Sequence, residues 1–176
     1  MKNIQKKILT FPLRIALIIL IIGALFKIMH WPYANRLMLI GGVSISILYL
    51  IRFLYKKPKN KIDFVKLSLV FLWLINYLID AFHVFNIPYL FEALLVALFI
   101  WWFTEEGVFY FKNRKFKRKG IIKMFYYLIC YLTLLALSLG ILIKIQHWPY
   151  GSLIFVLGVL LLCLVLILDY FLIEHK

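Results

Sequence analysis

Seven ionisable side chains stand where ionisable side chains are costly. Lys27, His30, Asp80, His83, Glu92, Lys144 and His147 lie inside or at the margin of long apolar runs. Ammonium, carboxylate and imidazole groups in such places do one of two things: they neutralise each other, or they take up and release protons. A lysine near a helix end has a third option, because its long stem can carry the ammonium to interfacial water. A carboxylate has no such reach. Lys27 and Lys144 each precede a proline by five residues, Asp80 precedes Pro88 by eight, and Glu92 follows Pro88 by four. At about 1.5 Å of rise per residue these four groups fall near one depth. The spacing therefore predicts that Asp80 and Glu92 pair with Lys27 and Lys144 across neighbouring hairpins, which lowers the desolvation cost of all four. His30 and His147 follow the lysines by three residues, a spacing that predicts one shared helix face. His83 lies one turn from Asp80 and could hold or pass a proton with it; a polar residue satisfied by Asp80 is the simpler reading.

The elements that must position these groups are marked by a repeated phrase. Gly23-Ala24-Leu25-Phe26-Lys27-Ile28-Met29-His30-Trp31-Pro32-Tyr33 recurs as Gly140-Ile141-Leu142-Ile143-Lys144-Ile145-Gln146-His147-Trp148-Pro149-Tyr150. Between them stands a blurred copy, Ile79–Tyr89, in which His83 replaces the lysine and Asn86 the histidine, while Phe82, Pro88 and Tyr89 stay in register. Pro32 and Pro88 are 56 residues apart, and Pro88 and Pro149 are 61 apart. Fixed-period similarity means one structural unit used several times. Each unit reads as a helix, a tight turn and a returning helix, with the proline in the first turn of the returning helix, where its missing N–H has no helical partner. Trp31, Tyr33, Tyr89, Trp148 and Tyr150 beside the prolines suit the membrane–water boundary, so anchor plus turn accounts for Pro32, Pro88, Pro149 and their aromatic neighbours.

The solvent for these units is lipid. The chain is 65% hydrophobic with mean hydropathy +0.97, well above a soluble domain. Six apolar runs, Leu13–Met29, Leu37–Leu54, Phe64–Phe85, Tyr89–Phe111, Ile121–Ile145 and Ser152–Ile173, approach or exceed the roughly 20 residues that span a bilayer. The expectation is an all-α polytopic membrane protein of six transmembrane helices, arranged as three parallel-repeat hairpins (units 12–56, 64–111 and 121–173) within a single membrane domain over 1–176. The net charge of +14 is clustered in the N-terminal tail (Lys2, Lys6, Lys7, Arg14), the segment Arg52–Lys66 and the segment Lys112–Lys123, with Lys176 ending the chain; beyond the repeat lysines Lys27 and Lys144, the intervening turns hold only Arg36. That pattern argues against nucleic acid. By the positive-inside rule it places both termini and both basic loops in the cytoplasm and the proline turns on the other side. Glu105, Glu106 and Asp169 lie near the basic end of their helices, where the basic segments are their natural partners. No A-x-A-like cleavage site follows the first apolar run, which predicts a retained helix rather than a signal peptide.

Chemistry beyond pairing and proton exchange finds no support. Cys130 and Cys163 fall inside predicted helices with no metal or disulfide spacing. There is no His-Glu-x-x-His, no Gly-x-Ser-x-Gly and no pair of acids at catalytic spacing. No catalytic residue, metal or cofactor is expected; the lipid bilayer and other membrane helices, or a second copy of the chain, are the expected partners.

Gly23–Pro32 resembles the transmembrane hairpin of GldL, the membrane subunit of the gliding-motility and type IX secretion motor of Bacteroidota. The likeness covers Ile22–Tyr33, nearly as well Gly140–Tyr150, and loosely each returning helix; the chain resembles three fused, divergent copies. The resemblance implies a proton-driven motor whose hairpins pack around a partner's membrane helix. It implies that Lys27, His30, Lys144 and His147 are interaction or relay groups. The family's glutamate, within a Thr-Glu pair of the second helix, carries over only to Thr104-Glu105 in the middle hairpin, which makes Glu105 the candidate proton acceptor; Tyr49 and Leu166 hold the register positions in the outer hairpins. The expectation is a non-enzymatic scaffold or accessory subunit of the bacterial inner membrane with a proton-linked role. The alternative is a small transporter or ion channel whose outer-half path is lined by Asp80, His83, Lys27 and Lys144.

Overall fold

The structure, a computed structural model, describes residues 9–82, 89–112, 116–117 and 120–173. His83, Asn86 and Pro88 of the middle turn lie outside the described residues, as do Lys2, Lys6, Lys7, Arg114, Lys115, Arg118, Lys119 and Lys176 of the basic segments.

In hydrocarbon every backbone donor and acceptor must be satisfied within the chain, and a helix does this by itself. The helices are α1 (Thr10–Ile28), α2 (Ala34–Tyr55), α3 (Lys61–Phe82), α4 (Leu90–Trp102), a π-helical turn (Phe103–Gly107), α5 (Val108–Lys112), α6 (Ile121–Ile145) and α7 (Gly151–Leu172). The π turn joins α4 to α5 in one continuous rod. Six of these stretches are long and apolar enough to cross a bilayer, with Leu90–Tyr110 counting as one. The chain is therefore an all-α, multi-pass membrane protein. The spans coincide with the six apolar runs to within a few residues.

The chain forms two compact units, Met1–Gly41 with Lys115–Lys176, and Gly42–Arg114; the boundary falls inside α2. In the first unit, α1, α6 and α7 pack around Leu25, Phe155 and Val159, with Ile21, Met29, Leu137 and Val156 against them. Glycines set the closest approaches. A Cβ on Gly23 would lie 2.7 Å from the Met38 nitrogen, and a Cβ on Gly140 would lie 2.7 Å from the Phe155 nitrogen. Gly41 meets Leu20 and Gly158 meets Leu137 with the same intimacy. Each residue of the second contact set is 117 positions after its counterpart in the first. Small residues allow backbones to approach where no hydrophobic force draws helices together in lipid.

At the far end of this unit a charged cluster is buried. Arg14 on α1 forms an ion pair with Asp169 on α7 and donates to the Leu166 carbonyl at 2.6 Å. The Tyr126 hydroxyl of α6 donates to Asp169 at 3.0 Å. Tyr126 is 1% and Asp169 6% exposed, so both carboxylate oxygens are satisfied where water is scarce. The connector ahead of α6 folds back here, with the Lys117 N–H donating to the Leu172 carbonyl at 2.9 Å.

In the second unit α3 packs on the α4–α5 rod. Asp63 caps the start of α3: its carboxylate accepts the Asn60 N–H at 2.8 Å, while its own N–H donates to the Asn60 backbone carbonyl at 3.0 Å. This is the acid's half of a capping box. Lys56 closes it from the connector, 2.6 Å from the same carboxylate.

Candidate functional site

The repeated phrase folds into one backbone motif. In the first hairpin α1 ends at Ile28, and His30 takes the left-handed conformation at φ 56. Its N–H donates to the Lys27 carbonyl at 3.2 Å, and the Trp31 N–H reaches back to the Phe26 carbonyl at 2.8 Å. These are the two bonds of a Schellman cap, with histidine in the place glycine usually takes. The Trp31 ring packs edge-on against Phe26 at 5.0 Å, the apolar contact that accompanies this cap. The third hairpin repeats it: His147 sits at φ 55, its N–H donates to Lys144, and the Trp148 N–H to Ile143, both at 3.1 Å.

Two expectations are corrected here. His30 and His147 do not share a helix face with the lysines, because each lies past its helix end with its backbone reversed. Histidine tolerates positive φ better than most side chains, a property that apolar periodicity does not reveal. Nor do Pro32 and Pro149 open the returning helices. Those helices begin at Ala34 and Gly151, and a left-handed tyrosine intervenes in each case, Tyr33 at φ 65 and Tyr150 at φ 68. Tyr89 has φ 65 and its carbonyl accepts the Ala93 N–H at 2.9 Å, as Tyr33 accepts Leu37 and Tyr150 accepts Ile154, both at 3.1 Å. All three returning helices thus start alike.

The lysines occupy the second position from the cap, where a cation complements the negative end of the helix dipole. Lys144 does more. Its Nζ donates to the Ile28 carbonyl at 3.2 Å, approaches the Met29 sulfur at 3.8 Å and lies 5.6 Å from the Phe155 ring centroid. An ammonium from α6 thereby satisfies a terminal carbonyl of α1. Lys27, with His30, Trp31 and Tyr33, lines an open groove beside its own turn.

Asp80 near the end of α3 and Glu92 in the first turn of α4 are both exposed and belong to the second unit. Glu105 and Glu106 sit in the π turn. A π turn inserts an extra residue into the helical period and often marks a functional site. Here it separates two acids. Glu106 pairs with Lys66 of α3 and accepts from the Trp102 indole at 3.2 Å, while Glu105 is exposed. The Thr104 hydroxyl turns inward on its own helix, donating to the Ile100 and Trp101 carbonyls, each at 3.0 Å.

Glu106 and Asp169 do find basic partners, Lys66 and Arg14, at the ends of the basic segments. Reading the sequence missed three participants. The positive-inside rule treats Arg14 as topology alone, yet its place four residues into α1 puts it among apolar neighbours. Asp63 was lost inside a basic segment, although Asn60-x-x-Asp63 is a legible cap. Tyr126 carried no signal apart from its hydroxyl.

Residues 15–68 match the family model of the GldL N-terminal domain, a range that holds α1, α2, the first turn motif and the start of α3. No curated protein and no solved structure matches the chain. Over that range the chain is similar to the GldL N-terminal domain.

Proposed function

We propose that the chain is a non-enzymatic inner-membrane scaffold or accessory subunit of the GldL kind, built from three hairpins and working beside other membrane helices in a gliding or type IX secretion motor. The observation that carries this reading is the family match over 15–68, which includes a turn whose lysine, histidine and tryptophan recur with the same backbone at Lys144, His147 and Trp148. Both termini lie in the cytoplasm in this reading, because the basic segments flank that end of every hairpin. Glu105, on the exposed side of the π turn, takes up the proton that links the subunit to its partner.

The experiment is site-specific photocrosslinking at Val108, one turn from Glu105, in cells that contain the motor proteins, together with proton flux through liposomes that hold the purified chain. The scaffold reading expects a discrete adduct with another membrane protein and no proton leak from the chain alone. Proton conduction by the pure chain, abolished by Asp80→Asn, overturns it in favour of a channel.

A further inference from the structure

A groove of about 560 Å³ opens beside the first turn. Lys27, His30, Trp31, Tyr33, Asn35 and Arg36 line it, all from one hairpin, and among the described residues no acid lines it. The first turn of α2 carries no acid either, so the positive end of this 22-residue helix adds to the field of Lys27 and Arg36. The Arg36 guanidinium lies 5.3 Å from the Tyr33 ring centroid. Stacking occupies the flat face of a guanidinium and leaves its edge N–H donors for a bidentate oxyanion contact. Trp31 and Tyr33 are 42% and 65% exposed, amphipathic rings of the kind that sit at headgroup depth.

We propose that this groove binds a phosphate oxyanion, supplied by the headgroup of an anionic phospholipid, with Arg36 as the bidentate ligand and Lys27 as the second cation. The lining has no carboxylate for the ammonium of a zwitterionic headgroup, so it selects lipids with net negative charge. The other hairpins provide internal controls. In register, Arg36 corresponds to Glu92 and to Leu153: one turn phrase carries a cation, an anion and an apolar residue at this position. The third hairpin repeats the backbone of the turn without the arginine, so the site is a property of the first.

The test titrates the full chain in micelles with short-chain phosphatidylglycerol, short-chain phosphatidylcholine or inorganic phosphate, and counts bound ligand by native mass spectrometry. Phosphatidylglycerol is expected to bind saturably and about tenfold more tightly than phosphatidylcholine, and Arg36→Gln to weaken it about tenfold, as loss of a charge-assisted contact does. Arg52→Gln removes a cation from the other end of the same helix and is expected to change binding by less than about twofold. Arg36→Lys keeps the charge without the fork and is expected to fall between. Inorganic phosphate that displaces the lipid at equal concentration supports the oxyanion site and assigns it to a soluble anion. Equal binding by Arg36→Gln and Arg52→Gln, in proteins that elute as the same folded species, overturns the site. So does phosphatidylcholine binding as tightly as phosphatidylglycerol.

Discussion

The first and third hairpins share a turn and differ in nearly everything attached to it. His30 and His147 agree in φ at 56 and 55, and Tyr33 and Tyr150 at 65 and 68. The glycine contacts repeat at a constant offset. Yet Arg36 corresponds to Leu153, Arg14 to Tyr131, and Asp169 to Arg52. The repeated phrase therefore specifies how a helix stops, crosses and restarts, and positions outside the phrase specify what the hairpin binds. Histidine and lysine in this phrase have backbone work to do before any proton or partner is considered. A residue's recurrence is weak grounds for a chemical role when a cap already explains it.

The comparison breaks most readily at the end remote from the turns. Asp169→Ala would leave Arg14 among apolar neighbours without its carboxylate, at a cost of about 3 kcal/mol or more. Unfolding in mixed micelles measures it. Arg14→Met with Asp169→Leu and Tyr126→Phe should regain most of the loss, because an apolar cluster of similar volume leaves neither a charge nor the hydroxyl that donated to Asp169 to be desolvated. A mild effect of Asp169→Ala would mean that this cluster does not join α1 to α7.

The next largest effect tests the equivalence itself. Gly23→Ala and Gly140→Ala each push a methyl against backbone at 2.7 Å, and overpacking of this kind costs about 1–3 kcal/mol. The two should cost the same to within about 0.5 kcal/mol, the ordinary scatter between independent sites. A large cost at one and none at the other would show that the two hairpins are packed differently despite their shared register.

How much of this was legible beforehand follows from which forces act locally. The six spans could be read because lipid makes a uniform demand on every residue of a helix. The caps were half legible: the phrase Lys-x-x-His-Trp-Pro announced a turn, but a left-handed histidine is invisible to a rule that looks for glycine. Arg14 with Asp169 was not legible, because residues 155 positions apart meet only through the packing of α1 on α7. Lys144 was read by depth and charge as a partner for an acid. Its contact with the Ile28 carbonyl depends on where one helix ends beside another, which depth does not encode.

Histidine replacement separates the backbone role from the chemical one. His147→Gly relieves a side chain held at positive φ, where an L-residue is strained by about 1 kcal/mol, so the variant is expected to be as stable as the parent or slightly more so. His30→Gly should match it. Loss of the photocrosslinked adduct in a variant that is fully stable would assign the imidazole a role in partner contact that the cap does not need.

The smallest effect is also the most discriminating, because it adds a function instead of removing one. Leu153 is 67% exposed at the position that Arg36 holds in the first hairpin, in the first turn of its span, where an arginine can carry its guanidinium to the headgroups, so Leu153→Arg should fold. If the shared backbone is a platform and the arginine is the reader, the variant gains a second anion site. Native mass spectrometry would then count two phosphatidylglycerol molecules where the parent binds one. The affinity of the new site then reports on Lys144, which already donates to the Ile28 carbonyl. An unchanged count would mean that the groove depends on features of the first hairpin beyond the turn and Arg36, with Asn35, which the third hairpin replaces with Ser152, as the first residue to exchange.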